Sequence, residues 1–272
     1  MTESSAARDA AVTDRRRLAR SAYSSDRDLA ARQSLYQWQS PRYDLPGIVA
    51  EQLSDVRGHV VDVGCGNGKF IRRLREDRSD LDLLGLDIAP GILTGVPGAV
   101  AVADATRLPL ATASVDAALA LHMLYHVPDI PQAVKELSRV LTRGGAVIVS
   151  TNSDHDKSEL DDLWQRAAGD VLGTGRGPAR ISLSARFSLE KAPAFLGEEF
   201  SRVRTLELPG TITVREPEPV VAHMASYRAW ADQHGVPFEA TIERARAILA
   251  RHITRHGTFE VTCRGAILVC RR

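Results

Sequence analysis

Asp62, Asp87 and Asp104 each stand near the end of a short apolar run, and the first is followed by Gly64-Cys65-Gly66-Asn67-Gly68. Glycines at alternate positions between a strand and a helix permit a tight turn. They also let a ligand approach the backbone beside a helix N-terminus. A dinucleotide pyrophosphate site calls for Gly-x-Gly-x-x-Gly, whereas this loop is Gly-x-Gly-x-Gly with an acid before it. Asp87 comes 19 residues after Gly68, where a carboxylate suits paired hydrogen bonds to ribose hydroxyls. At Asp104 a carboxylate or a neighbouring backbone group can meet the edge of an adenine. One such acid alone reads as a solvated loop residue. Three on successive strand ends read as the ligand edge of an open α/β sheet.

Two histidines follow the fourth apolar run, in Leu121-His122-Met123-Leu124-Tyr125-His126. Four apart, they can share a helical face, and both are candidate general bases; His155, after the fifth run, is a third. Plainer readings stand beside these. His126 suits a hydrogen-bonded turn before Pro128, and His223 reads as a polar face residue of a helix. Tyr36, Trp38 and Tyr43 precede the glycine loop, while Met224, Tyr227 and Trp230 recur near helical spacing far after it. Both sets are candidates for a lid or an acceptor wall, although a Met and aromatic stripe is more often core. Arg244, Arg246, Arg251 and Arg255 read as a solvated helix face, with contact to an anionic acceptor as the alternative. Cys65, Cys263 and Cys270 lack metal-ligand spacing, so no metal site is expected. Cys263 and Cys270, seven apart on one strand, face opposite sides, and reduced thiols are expected.

The runs that carry these residues are largely apolar and in places β-branched, at 59–63, 81–86, 100–102, 115–121 and 146–150. Helical patterns at 69–76 and 130–141 lie between them, the second ending in a Gly144-Gly145 turn. Strands buried on both faces and alternating with helices predict a parallel sheet covered on each side. After residue 150 the alternation stops. Helices are predicted over 45–53, 158–171 and 189–200 and in two stretches within 219–254, and strands over 203–214 and 259–270.

Together these stretches resemble the class I S-adenosylmethionine-dependent methyltransferases, in the type 11 branch that acts on small molecules. The residues that carry the resemblance are VVDVGCGNGKF, LLGLD, VADATRLPLATASVDAALALHMLYHVPD and LSRVLTRGGAVIVSTN. They cover about residues 45–155 closely and the rest loosely. The resemblance implies a Rossmann-like α/β fold, a mostly parallel seven-stranded sheet with the last strand antiparallel, and helical lid insertions. It implies S-adenosylmethionine as cofactor. Gly64 and Gly66, with Cys65 between them, would lie against the methionine portion, Asp87 and Ile88 at the ribose, and Asp104 with Ala105 at the adenine. Leu121 and His122 would sit near the sulfonium, and Asp62 would hold the ammonium. No Asn/Asp-Pro-Pro-Tyr segment follows the fourth strand, which argues against methylation of nucleobase amino groups. On this reading residues 1–25 are mobile, 26–56 form an N-terminal helical lid and 57–151 the donor-binding core. Residues 152–218 are a linker, lid and sixth strand, 219–256 a helical cap over the acceptor, and 257–272 the closing strand.

Composition narrows the partners. The 272 residues carry 35 Lys and Arg against 34 Asp and Glu, and no long segment holds a basic surplus. A protein that grips a phosphate backbone needs one. No apolar run approaches a membrane span, and the first residues lack a secretory pattern. The expectation is a cytoplasmic enzyme, monomer or homodimer, acting on a small specialised metabolite without nucleic acid or membrane. An RNA methyltransferase and a binding protein that keeps the donor pocket without transfer are the alternatives. A nicotinamide dehydrogenase would need the longer glycine fingerprint.

Overall fold

Strands whose side chains are apolar on both faces can satisfy their backbone only by pairing inside a covered sheet. In the computed structural model, which describes residues 3–272, they do so in one eight-stranded sheet. Its strands are β1 (Gln39–Ser40), β2 (Gly58–Val63), β3 (Leu81–Asp87), β4 (Ala99–Val102), β5 (Val115–Leu121), β6 (Leu141–Asn152), β7 (Arg202–Val214) and β8 (Phe259–Arg271). The spatial order is β1-β7-β8-β6-β5-β2-β3-β4, with β2 to β6 mutually parallel and β8 antiparallel to both β6 and β7. Seven strands were expected. The eighth, β1, is a two-residue edge pairing Gln39 and Ser40 with Ile212 and Thr211.

The helices are α1 (Glu3–Thr13), α2 (Arg15–Arg17), α3 (Arg27–Ser34), α4 (Leu45–Gln52), α5 (Lys69–Asp77), α6 (Ile130–Val140), α7 (Ser158–Leu172), α8 (Ala192–Gly197), α9 (Glu218–Ala225) and α10 (Phe238–His256). α6 starts where Asp129 accepts a hydrogen bond from the Gln132 amide at 3.0 Å, with Pro131 in its first turn. Its Ala133, Val134, Leu137 and Val140 pack on Val61, Ala118 and Val147 of one sheet face. Leu74 of α5 and Val49 and Leu53 of α4 cover Val60, Leu119 and Ile148 on the other. α4 is therefore part of the core and not of a lid, which begins and ends closer to α3.

β7 and β8 run on beyond the end of β6, pairing from Pro209↔Arg264 to Val214↔Phe259. This extension stands above the C-terminal edge of the parallel strands, and α7, α9 and α10 pack on it around Trp164, Met224 and Leu249. Cys263 lies in this second core and Cys270 in the sheet core, as alternation along one strand requires.

Three local readings differ from the structure. β6 begins at Leu141, because Thr142–Gly145 bulges between the pairs Val115↔Leu141 and Ala117↔Ala146 instead of forming a separate turn. α8 is shorter than 189–200, its start fixed by Pro193. Most of residues 1–25, expected to be mobile, are helical: α1, α2 and a π-helical turn at Leu18–Ala22. Ala11, Val12, Leu18 and Ala22 are buried against Ile181, Leu183 and Trp230. Met1 and Thr2 lie outside the described residues.

Candidate functional site

β2 delivers the chain into a loop that only glycine can trace. Gly64, Gly66 and Gly68 have φ of 71°, 54° and 72°, and a Cβ on Gly64 would lie 2.7 Å from the Met123 side chain. The loop is latched to β3 by hydrogen bonds from the Gly64 and Cys65 amides to the Leu86 carbonyl, at 2.6 and 3.0 Å. The Asp87 carboxylate continues the latch, accepting from the Gly66 amide at 2.9 Å and the Ala89 amide at 2.9 Å. Burial raises its pKa, and these amide bonds oppose the shift. Asp104 accepts from the Thr106 amide at 2.9 Å and hydroxyl at 2.8 Å, and forms an ion pair with Arg15.

Asp62 differs from both. It is 3% exposed, and neither carboxylate oxygen has a hydrogen-bond partner among the described residues. Desolvation, with the nearby Asp87 charge, pushes its pKa up to about 7. A buried carboxylate with no donor calls for a cationic or hydrogen-bonding ligand group.

These residues line one cavity of about 280 Å³ at the C-terminal edge of the sheet. It contains the whole set expected at the donor: Asp62, Gly64, Cys65, Gly66, Asp87, Ile88, Asp104, Ala105, Leu121 and His122. Of the expected bases, His122 and His126 line it and His155 does not, being exposed on the loop after β6. His122 sits in a left-handed backbone conformation, φ 55°, its amide bonded to the Ser150 carbonyl at 3.1 Å. Burial lowers its pKa to about 4, so the imidazole is neutral at ordinary pH.

His126 is spoken for. Its Nδ1 donates to the Val12 carbonyl at 3.0 Å, which leaves Nε2 to accept from the Tyr23 hydroxyl at 2.8 Å. Its ring stacks on Trp230, with ring centroids 6.0 Å apart. Burial lowers its pKa to about 3. Bonded at both nitrogens, it holds the N-terminal segment to the site and has no free lone pair for a substrate proton.

The expected aromatic sets divide in the same way. Tyr36 and Tyr227 line the cavity. Trp38 is 37% exposed, and Tyr43 donates to the Pro209 carbonyl at 2.9 Å, away from it. Met224 is buried in the cap core, and Trp230 donates from its indole to the Ala11 carbonyl at 3.1 Å. On α9 Val220 and Met224 face the core and His223 lines the cavity, as does Tyr227 just beyond its end, although that ring also packs against the cap core. Arg244 and Arg246 pair with Asp170 and Glu218 on the surface.

The sequence reading missed the cations that do line the cavity. Lys157, φ 59° and 4% exposed, donates to the Tyr36 hydroxyl at 2.7 Å and pairs with Asp156. Its position is fixed by its amide bond to the Thr262 carbonyl at 2.9 Å. Arg180 pairs with Asp161 at 2.9 Å. Arg32, on α3, reaches the Ser226 carbonyl at 3.0 Å. Nothing in the spacing of these residues marks them, since they come from segments far apart in the chain.

α3 and the preceding helices cover the cavity. Gln33 accepts from the Asn67 amide group at 3.3 Å, and Leu29 lies over Gly66. Arg17 forms a two-pronged ion pair with Asp232. Among the described residues no group of acidic, His and Cys side chains could hold a metal ion, and no helix is long and apolar enough to cross a membrane.

Residues 61–149 match the family described as methyltransferase domain. Malonyl-(acyl-carrier protein) O-methyltransferase of Serratia marcescens is 29% identical over 160 residues, 57% of this chain and 60% of that protein. The protein of the same name from Hahella chejuensis is 32% identical over 117 residues, 40% of this chain and 42% of that one. The chain thus spans about three fifths or less of these curated relatives. A crystal structure described as a candidate methyltransferase from an antibiotic biosynthesis pathway of Anabaena variabilis covers 82% of this chain and 95% of its own, at TM-score 0.59 and 17% identity. At that identity the likeness concerns the fold alone.

Proposed function

We propose that this chain, which belongs to the class I S-adenosylmethionine-dependent methyltransferases by its methyltransferase domain, transfers a methyl group to an oxygen, nitrogen or carbon nucleophile of a small-molecule acceptor. The observation that carries the reading is the pair of unpartnered Asp62 oxygens beside the left-handed glycine loop. An amino-acid ammonium is the group such a carboxylate lacks. Asp87, held by the Gly66 and Ala89 amides, keeps lone pairs for two ribose hydroxyls, and Asp104 and Ala105 meet the adenine edge. S-adenosylmethionine, when bound, supplies an already activated methyl, so the chain's task is alignment and exclusion of water. Helices α1 to α3 close the cavity over that centre, which favours a small acceptor over a nucleic acid. Held neutral in the cavity wall, His122 is positioned by its place after β5 to accept a proton from the acceptor.

Isothermal titration with S-adenosylhomocysteine tests the donor site. Micromolar or tighter binding that is lost in Asp87→Ala is expected; absence of binding to the wild-type chain would refute the reading. Titration with NAD should give no heat. Methyl transfer from labelled donor to a panel of small acceptors tests the reaction itself, and donor binding without any product would favour a binding protein.

A further inference from the structure

Lys157 stands 4% exposed where α7 begins, and its Nζ donates to the Tyr36 hydroxyl at 2.7 Å while pairing with Asp156. Asp156 also accepts from the Arg264 amide at 2.8 Å. Burial would lower the Lys157 pKa, but the Asp156 charge outweighs it and holds the group an ammonium. The Tyr36 oxygen therefore accepts from Lys157 and keeps its own proton: burial pushes the phenol up to about 12, with Lys157 opposing. Among the described residues the Tyr36 hydroxyl has no other hydrogen bond, so its O–H remains free in the cavity that Tyr36, Lys157 and His122 line.

Backbone strain marks the same place. Among the described residues three non-glycine residues have left-handed φ, Ala113, His122 and Lys157, and the last two line this cavity. Such conformations persist where the surroundings impose them. Here the Ser150 and Thr262 carbonyls hold the His122 and Lys157 amides.

Burial first, and then the Lys157 charge, lower the His122 pKa to about 4, which makes it a weak base. A hydroxyl gives such a base its proton only if the oxygen left behind is stabilised. A phenol O–H polarised by a buried ammonium is a donor of that kind. An acceptor carboxylate or phosphate finds no free cation at this end. Lys157 and Arg180 are taken by Asp156 and Asp161, and Arg32 rides on α3 over the glycine loop, where the donor's own carboxylate would lie.

We propose that Tyr36 is a catalytic residue that donates its O–H to the oxygen of an uncharged phenolic acceptor, with Lys157 as its positioning residue. The acceptor's hydroxyl proton goes to the His122 imidazole, and the freed oxygen pair forms the O–CH3 bond. The pair of the breaking S–CH3 bond stays on sulfur, and the imidazolium proton then passes to solvent. Tyr125 and Tyr227, which also line the cavity, fit a flat ring on that acceptor. The inference rests on the donor reading above and selects oxygen among the nucleophiles it allows.

The test is spectrophotometric titration of the full chain, saturated with S-adenosylhomocysteine, with 4-nitrophenol, whose phenolate absorbs at longer wavelength than the phenol. Binding should lower its ionisation midpoint by at least about one pH unit, and 4-nitroaniline should bind at least about tenfold more weakly. Tyr36→Phe should abolish the shift while S-adenosylhomocysteine affinity stays within about twofold of wild type. Lys157→Met should remove part of the shift, whereas a purely structural lysine would change stability and leave the midpoint of the bound phenol alone. Retained S-adenosylhomocysteine binding reports that a variant is folded; if Lys157→Met fails that check, Tyr36→Phe decides. An unshifted midpoint, equal binding of the aniline, binding of neither, or a shift that survives Tyr36→Phe would overturn the proposal. A full shift in folded Lys157→Met would overturn the lysine's part in it. If S-adenosylhomocysteine does not bind the wild-type chain, the donor reading fails; if it binds and the shift is absent, this inference alone fails.

Discussion

The two ends of the cavity are built by different means. The donor end comes mostly from one stretch, residues 58–105, joined by Leu121 and His122 at the end of β5, and backbone amides and strand-end acids form its wall. Asp87 and Asp104 there accept amide bonds from residues nearby in the chain or the adjacent strand, whereas Asp62 has no partner among the described residues. The acceptor end is assembled from α3, the loop after β6, the segment before α8, and α9, brought together by Tyr36, Lys157, Arg180, His223 and Tyr227. Its contacts span as many as 194 residues of sequence, as between Arg32 and Ser226. A local frame gives the donor end its shape before the cap is in place. A long-range assembly makes the acceptor end depend on every element that closes over it.

That contrast can be broken most severely at Trp230. Replacing this fully buried ring by alanine removes its bond to Ala11 and its stack on His126, at a cost of about 3–5 kcal/mol. Thermal denaturation should show a large fall in Tm. In the folded fraction at low temperature, donor affinity should stay within a fewfold of wild type while acceptor KM rises; a parallel collapse of donor affinity would mean that the two ends are not independent.

At the donor end, Asp87→Ala removes two amide acceptors and the proposed ribose contact at once. A loss of about 2–3 kcal/mol, roughly 100-fold in S-adenosylhomocysteine affinity, is expected by titration. Acceptor preference among the products that remain should not change.

Acid sharpens the contrast next. His126 has its pKa lowered to about 3 in the fold against an ordinary 6.5, so the unfolded chain binds the extra proton between those values. Stability is therefore complete above about pH 6.5 and falls as pH drops below it, by roughly 2 kcal/mol at pH 5. Proteolysis near Val12 should begin at a higher pH than loss of the sheet, and His126→Gln should reduce the dependence by that histidine's share, leaving the part due to the buried His122, His223 and His234. Asp62 has the opposite sign. With its pKa raised to about 7 against 3.8, it stays protonated in the empty fold at mildly acidic pH. Donor affinity should rise from pH 6 to 7.5, by up to about tenfold, and Asp62→Asn should remove that rise.

The smallest effect is expected at Arg15, whose ion pair with Asp104 is half exposed. Arg15→Ala should change Tm by about 1 kcal/mol equivalent or less. Faster product release in stopped-flow experiments would be its clearer sign, since that pair ties the covering helices to the adenine edge.

How much of this was legible follows the same division. The strand ends, the glycine loop and Asp62, Asp87 and Asp104 could be read because their partners lie in adjacent parallel strands, where spacing carries geometry. The N-terminal helices could not. Ala11, Val12, Leu18 and Ala22 are scattered among charges, and what ties their segment down is donation by His126 and Trp230 to the Val12 and Ala11 carbonyls. No side-chain pattern announces a bond to a carbonyl. Lys157 was invisible for a related reason: its left-handed backbone is imposed by β8 pairing, not by its own type. On α9 the sequence left Met224 and Tyr227 open between core and acceptor wall, because both sides of that helix are buried and only tertiary placement tells core from cavity.

That two-sided helix separates two kinds of inheritance. Val220, Val221 and Met224 belong to the cap core, where an exchange is answered by the whole fold. His223, on the other side, and Tyr227, just past the helix end, line the cavity. A descendant of this chain could exchange those two positions, try a new acceptor, and leave the scaffold's ancestry unread by selection for folding. Divergence of substrate and persistence of architecture can thus proceed side by side along the ten residues from Glu218 to Tyr227.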